Sequence, residues 1–161
     1  MKKLFTLLAL TISFSINAQV STVATDASGN SSTAMGYNTT ASGSVSTAMG
    51  YSTSASGEAS TAMGYSTTAS GNESTAMGHQ TYASDYASLV IGQYNSSGSS
   101  VTNSASSFST SNTAFVIGNG ADSSNKSDAF KVMFNGDTTV SNDLTVSGDV
   151  VISSDARLKS N

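Results

Sequence analysis

Ser32-Thr33-Ala34-Met35-Gly36-Tyr37 returns as Ser46-Thr47-Ala48-Met49-Gly50-Tyr51, as Ser60-Thr61-Ala62-Met63-Gly64-Tyr65, and as Ser74-Thr75-Ala76-Met77-Gly78-His79. A looser fifth copy reads Ser88-Leu89-Val90-Ile91-Gly92-Gln93. The period is 14 residues with no insertion. A second motif follows half a period behind: Ala41-Ser42-Gly43, Ala55-Ser56-Gly57, Ala69-Ser70-Gly71 and a weakened Ala83-Ser84-Asp85. A fixed period of this kind marks stacked structural units, each resting on its neighbours.

The unit itself excludes helix. Glycine at two fixed places per period and a heavy Ser/Thr load both oppose it. A heptad coiled coil needs apolar a and d positions, and most would here be Ser, Thr or Gly. Extended structure fits. In Ser46 to Gly50, alternation puts Thr47 and Met49 on one face and Ala48 and Gly50 on the other. A second extended piece covers Thr53 to Ser56, with turns expected at Gly50-Tyr51 and Gly57-Glu58, where glycine tolerates positive φ. Short strands and turns alternating within 14 residues make one coil of a narrow parallel β-roll.

A narrow coil admits only small side chains, so Ala48, Ala55 and their equivalents fill the lumen. Met35, Met49, Met63, Met77 and Ile91 then stand outward, beside Thr33, Thr47, Thr61, Thr75 and Leu89. An apolar row on the outside of an exported protein wants cover. Packing these rows from several chains about one axis supplies it, so the chain is expected to form a symmetric oligomer with Met35, Met49, Met63, Met77 and Ile91 at the interface.

The pattern Ser-x-Ala-hydrophobic-Gly-x-x-x-x-Ala-x-Gly, repeated over about residues 20–99, resembles the YadA-like head repeat of trimeric autotransporter adhesins. The resemblance implies an all-β fold, a left-handed parallel β-roll, a homotrimer, display on a bacterial surface, and attachment to a host or matrix ligand. Thr and Met stand here where many members carry Val and Ile.

Outside the repeats the texture changes. Residues 1–18 read as a signal peptide: Lys2 and Lys3, an apolar Leu4 to Phe14, and a small residue at Ala18. The roll is assigned to 19–99, and 100–121 to a Ser/Thr/Asn-rich linker ending in a modified rung, Ala114-Phe115-Val116-Ile117-Gly118. Residues 122–152 form a short β-rich neck. In it, Ala129 to Phe134 and Asp137 to Val140 flank Asn135-Gly136, expected as a type I′ turn, and Leu144 to Val146 pairs with Val150 to Ile152. The last segment, 153–161, reads Ser-Ser-Asp-Ala-Arg-Leu-Lys-Ser-Asn and resembles the opening of the intramolecular chaperone of endosialidase-type tailspikes. That resemblance implies a self-cleavage junction at Ser154-Asp155 if a chaperone body follows.

Composition excludes several functions. Without the leader, four basic residues face ten acidic ones, a net charge of −6. Such a chain is a poor binder of nucleic acid or of an anionic membrane. Cysteine is absent, so disulfides do not hold the fold and thiolate zinc sites do not exist. His79, the sole histidine, replaces a repeated tyrosine and lacks triad partners, so no catalytic residues, metal ligands or cofactors are assigned. Asn119-Gly120-Ala121-Asp122 is the one spot for a stray ion, and an ordinary turn suits it better. The mature chain is expected at the cell surface, at the outer membrane or outside the cell, without inserting itself in a membrane.

Two functions suit these features. The first is an adhesin-like head acting by multivalent contact, with Tyr37, Tyr51 and Tyr65 as the ligand-binding row. That row could equally serve packing. The second is ice binding through the threonine ladders Thr33, Thr47, Thr61, Thr75 and Thr39, Thr53, Thr67, Thr81. A tail-fibre-like segment whose chaperone is cut off after assembly is a further alternative.

Overall fold

The computed structural model describes residues 23–149. The signal-peptide assignment, the strand at Val150 to Ile152 and the Ser154-Asp155 junction lie outside them. Each repeat gives two strands. The longer ones are β1 (Thr33–Tyr37), β3 (Thr47–Tyr51), β5 (Thr61–Tyr65), β7 (Thr75–His79) and β9 (Leu89–Gln93). The shorter ones are β2 (Thr40–Ala41), β4 (Ser54–Ala55), β6 (Thr68–Ala69) and β8 (Tyr82–Ala83). Three strands follow: β10 (Thr113–Asn119), β11 (Asp128–Met133) and β12 (Thr138–Val140).

Stacking the repeats pairs like with like. Thr47 lies beside Thr61, Met49 beside Met63 and Tyr51 beside Tyr65, in parallel register. The short strands pair the same way into a second, four-stranded parallel sheet. The lumen between the sheets holds Ala41, Ala48, Ala55, Ala62, Ala69 and Ala76, all fully buried, as the alternation requires.

Hydroxyls share that lumen. Thr39, Thr53, Thr67 and Thr81 are buried with the alanines, which overturns their reading as an outward ladder. The odd-numbered threonines of the longer strands face out, but these four sit one corner further on, where the chain has turned through the coil. Their Oγ1 atoms, with the Oγ atoms of Ser46 and Ser60, have no hydrogen-bond partner. An unpartnered buried hydroxyl costs about 1–3 kcal/mol. Thr53→Val replaces it by a methyl of the same shape. Thermal unfolding of that variant is expected to rise, by about 1 kcal/mol in stability, and a fall would show that the hydroxyl is bonded in solution.

Glycine plays two parts. Gly36, Gly50, Gly64 and Gly78 have positive φ, as expected at Gly50, while further left-handed positions fall on other residues: Asn38, Ser52, Ser66 and Gln80 at one corner, Val45, Ala59, Glu73 and Ala87 at the other. Gly57 has no positive φ, yet a Cβ there would overlap the carbonyl oxygen of Gly71 in the next coil. Its role is close approach of backbone to backbone.

The stack is closed by side chains. Between β9 and β10 the chain leaves the repeat, and two residues replace the missing coil. The Asn95 amide takes the Tyr82 N–H (2.8 Å) and donates to the Tyr82 carbonyl (2.9 Å), standing in for the next strand. Asp85, in the place of a repeat glycine, accepts the N–H groups of Thr102 (2.6 Å) and Thr113 (2.8 Å). Strand β10 then rejoins in register, Val116 beside Val90 and Ile117 beside Ile91, so 114–118 is a further rung.

The neck is not a separate sheet. Strand β11 pairs antiparallel with β10, and β12 with β11, giving one eight-stranded sheet in the order β1-β3-β5-β7-β9-β10-β11-β12. The hairpin turn is not type I′, because Asn135 lacks positive φ. Gly136 alone is left-handed, and its N–H reaches the Met133 carbonyl while the Met133 N–H reaches Asp137. This is a three-residue loop closing on a glycine bulge. Leu144 to Val146 forms no strand.

Candidate functional site

The longer strands carry residues i, i+2 and i+4 on the outer face, so β1, β3 and β5 each present a Thr, a Met and a Tyr, while β7 ends in His79 and β9 presents Leu89, Ile91 and Gln93. Parallel register turns these into rows running along the roll.

The tyrosine row sits where each long strand ends, just before a left-handed corner. Tyr37 and Tyr51 stack with ring centroids 5.1 Å apart and planes 12° from parallel. Tyr51 and Tyr65 follow at 5.0 Å and 3°. His79 continues the column, 4.9 Å from Tyr65 and tilted by 32°. Tyr94 ends it, 5.1 Å from His79, with its hydroxyl 3.2 Å from His79 Nε2. Tyr37, Tyr51 and Tyr65 each remain 45–48% exposed. Stacking covers the ring faces, so what the column offers to solvent is ring edges and phenol hydroxyls, repeated about every 5 Å. Packing and presentation are thus properties of the same column.

Tyr94 was not legible in the repeat. Position 93 holds Gln, whose side chain turns instead to the Gly120 carbonyl (2.9 Å). The ring comes from the next residue, which occupies the left-handed corner with φ of 45°.

The methionine row runs beside it. Met35, Met49, Met77 and Ile91 are half-buried, and Met63 is 37% exposed. Pairing extends this row beyond the repeats: Ile91 lies beside Ile117, Ile117 beside Phe130, and Phe130 beside Val140. The threonine row likewise passes through Leu89 and Phe115 to Val132. Phe115 and Phe130 meet edge to face at 6.0 Å. One apolar ridge therefore spans the outer face of the eight-stranded sheet, and it grows larger toward the neck. The hairpin residues were missed because their place in the row depends on β10 joining β9, across an irregular insertion.

Residues 27–95 match the family model of the YadA head domain repeat, in overlapping segments at 27–53, 46–67, 55–81 and 69–95. These residues are YadA head repeats. No curated protein and no solved structure matches the chain. The YadA head segment therefore contains the tyrosine column up to Tyr94 and the methionine row up to Ile91.

The remaining polar groups serve local structure. Asp122 accepts from the backbone N–H groups of Ser124 (2.8 Å) and Asn125 (2.9 Å), and both its oxygens meet the Asn125 amide. The Asn125 side chain first, then these backbone donors, hold its carboxyl below the usual range. These bonds, with the Ala121 N–H meeting the Asn125 carbonyl (2.9 Å), close the loop at 121–125. Tyr86 donates to Glu73 (2.9 Å), and that bond raises its phenol above the ordinary value. Among the described residues no group of three or more His, Cys, Asp or Glu gathers to hold a metal, and no helix is long and apolar enough to cross a membrane.

Proposed function

We propose that this protein is an exported, non-enzymatic attachment head that works as a homotrimer. The observation that carries the reading is the pair of in-register rows on one sheet of a YadA head roll: an apolar ridge that wants cover and an exposed aromatic column beside it. In this reading Met35, Met49, Met63, Met77 and Ile91 pack about the trimer axis. Tyr37, Tyr51 and Tyr65 meet a host or matrix surface ligand. Each contact is weak, and three columns of repeated hydroxyls and ring edges gain affinity by avidity. The leader at 1–18 sends the chain out of the cell, to the surface or beyond it. Residues 153–161 keep the tail-fibre reading in view, in which a chaperone is released at Ser154-Asp155 after the trimer forms.

The ice-binding alternative is weaker than the sequence made it. One of its two threonine ladders is inside the coil, and the other is flanked by Met and Tyr side chains.

Attachment is tested with beads carrying the purified protein on matrix-coated and cell-coated surfaces. Replacing Tyr37, Tyr51 and Tyr65 by Ala is expected to cut bead retention at least about tenfold, as lost multivalency should. Stability should fall by about 1–3 kcal/mol in total, from lost ring–ring packing. Retention unchanged in the triple variant would remove the column from the binding reading.

A further inference from the structure

Where the last coil meets the neck hairpin, an open cleft of about 400 Å³ lies between the turn at 96–97, residues 126–128 and the face of β11 and β12 opposite the apolar ridge. Lys126 and Lys131 both line it. They are the only cations among the described residues, in a protein that is otherwise acidic. Neither ammonium forms an ion pair with a carboxylate among the described residues. Lys126 sits with its Nζ 4.7 Å from the Tyr82 ring centroid, which holds it at the rim. Lys131, half-buried on β11, projects from the strand between Val116 and Thr139.

Asp128 is the one acid in the wall. Its two oxygens are taken by the N–H groups of Ser96 and Ser97, each at 2.8 Å, so it serves to hold the turn. Two lysines against one carboxylate leave the wall a formal charge of +1 for an incoming anion. The rest of the lining is hydroxyl and amide: Thr139, Ser141 and Asn142 stand along the hairpin side. The side chains of Thr139 and Asn142 make no hydrogen bond among the described residues.

From this combination we infer that the cleft binds an acidic oligosaccharide. Two ammonium groups suit carboxylate or sulfate substituents. Uncommitted hydroxyl and amide groups suit the ring hydroxyls between them. An open cleft whose lining residues are all polar or charged suits a hydrated sugar better than a compact apolar ligand. None of the lining residues belongs to the tyrosine column, whose end is met by the Ser127 N–H at the Tyr94 carbonyl (3.1 Å), and binding here does not depend on attachment to a surface.

The test is calorimetric titration of the intact protein at low salt with four probes. They are a tetra-galacturonate, a sulfated glycosaminoglycan tetrasaccharide, neutral maltotetraose and inorganic sulfate. At least one acidic tetrasaccharide is expected to bind about tenfold or more tighter than either maltotetraose or sulfate, and to weaken as salt is raised. Which one binds separates a carboxylated from a sulfated ligand. Lys126→Gln with Lys131→Gln should lose about tenfold or more, with an unchanged melting temperature. Thr139→Val and Asn142→Ala should each lose a few-fold. Sulfate binding as tightly as the sugars would overturn the saccharide assignment. So would equal binding by the neutral sugar, binding that survives the double variant, or no binding by either acidic probe. Because the titration involves no surface, its failure leaves the attachment reading standing, and failed bead retention leaves the cleft standing.

Discussion

Gly64→Ala is expected to destabilise the protein by about 4 kcal/mol, combining overpacking with backbone strain. A Cβ at this position would overlap the carbonyl oxygen of Gly78, and Gly64 also has φ of 127°. The obstacle is backbone, held in place by the parallel ladder on both sides, so it cannot swing away as a side chain would. Whole-domain stabilities are about 5–15 kcal/mol, so a loss of this size removes a large fraction of what is available. Gly57→Ala separates the two contributions. Its Cβ would meet the Gly71 carbonyl in the same way, but its φ is not positive. It should therefore cost about 2–3 kcal/mol from overpacking alone. Gly148→Ala has nothing near it and should be neutral. Thermal unfolding followed by circular dichroism compares all three. A neutral Gly57→Ala would mean that the coils are not packed backbone to backbone at that corner.

This series also marks where the sequence was informative and where it was not. The 14-residue period fixes register, because identical residues must lie beside one another in a parallel stack, and the alternation Thr47-Ala48-Met49 fixes which of them face out. The lumen followed from size alone. The corners did not. Glycine suggests positive φ and Gly50 has it, yet further left-handed positions carry Ser52, Val45 and Ala59, residues that signal nothing of the sort in isolation. A solenoid can hold such conformations because each corner is bonded to the same corner one coil away. The Ser52 N–H meets the Tyr37 carbonyl (2.8 Å), and the Ala59 N–H meets the Ser44 carbonyl (2.8 Å). Tertiary repetition here overrides local preference.

The candidate site divides along the same line. Tyr37, Tyr51 and Tyr65 are legible because they repeat. His79 looked like a drifted copy, and its place in the column becomes clear only when the ring separations are known. Asp85 looked like a decayed glycine. In the fold it sits where the repeat ends, and a carboxylate can terminate the stack by accepting two N–H groups that would otherwise have no strand to meet. Departures from a repeat are thus where its ends and joints are built. The neck shows the converse: Phe130 and Val132 belong to no repeat, and they join the ridge only through the long-range pairing of β10 with β9 and β11.

The ridge sets the other large expected effect. Met49, Met63 and Met77 changed together to Glu should convert the proposed homotrimer to monomers, read as a threefold fall in mass by sedimentation equilibrium. At a covered axis the substitution would bring nine carboxylates together, three from each chain, out of water and without cations. Burying an unpaired charge costs several kcal/mol, and breaking one buried pair alone costs about 3–5 kcal/mol. Trimer affinity cannot absorb repeated penalties of that size. Raising salt should not restore assembly, because screening acts weakly on charges removed from water. Ser56→Glu, on the exposed end of the second sheet's coil segment, places a charge of the same kind on a different face and should leave the mass unchanged. The lumen alanines and the ladder bonds are untouched in both variants, so a loss of mass confined to the Met series assigns the axis to this face. A Met-to-Glu protein that stays trimeric would move the axis elsewhere. The ridge from Met35 to Phe130 would then be free surface, available with the tyrosine column to whatever the head meets.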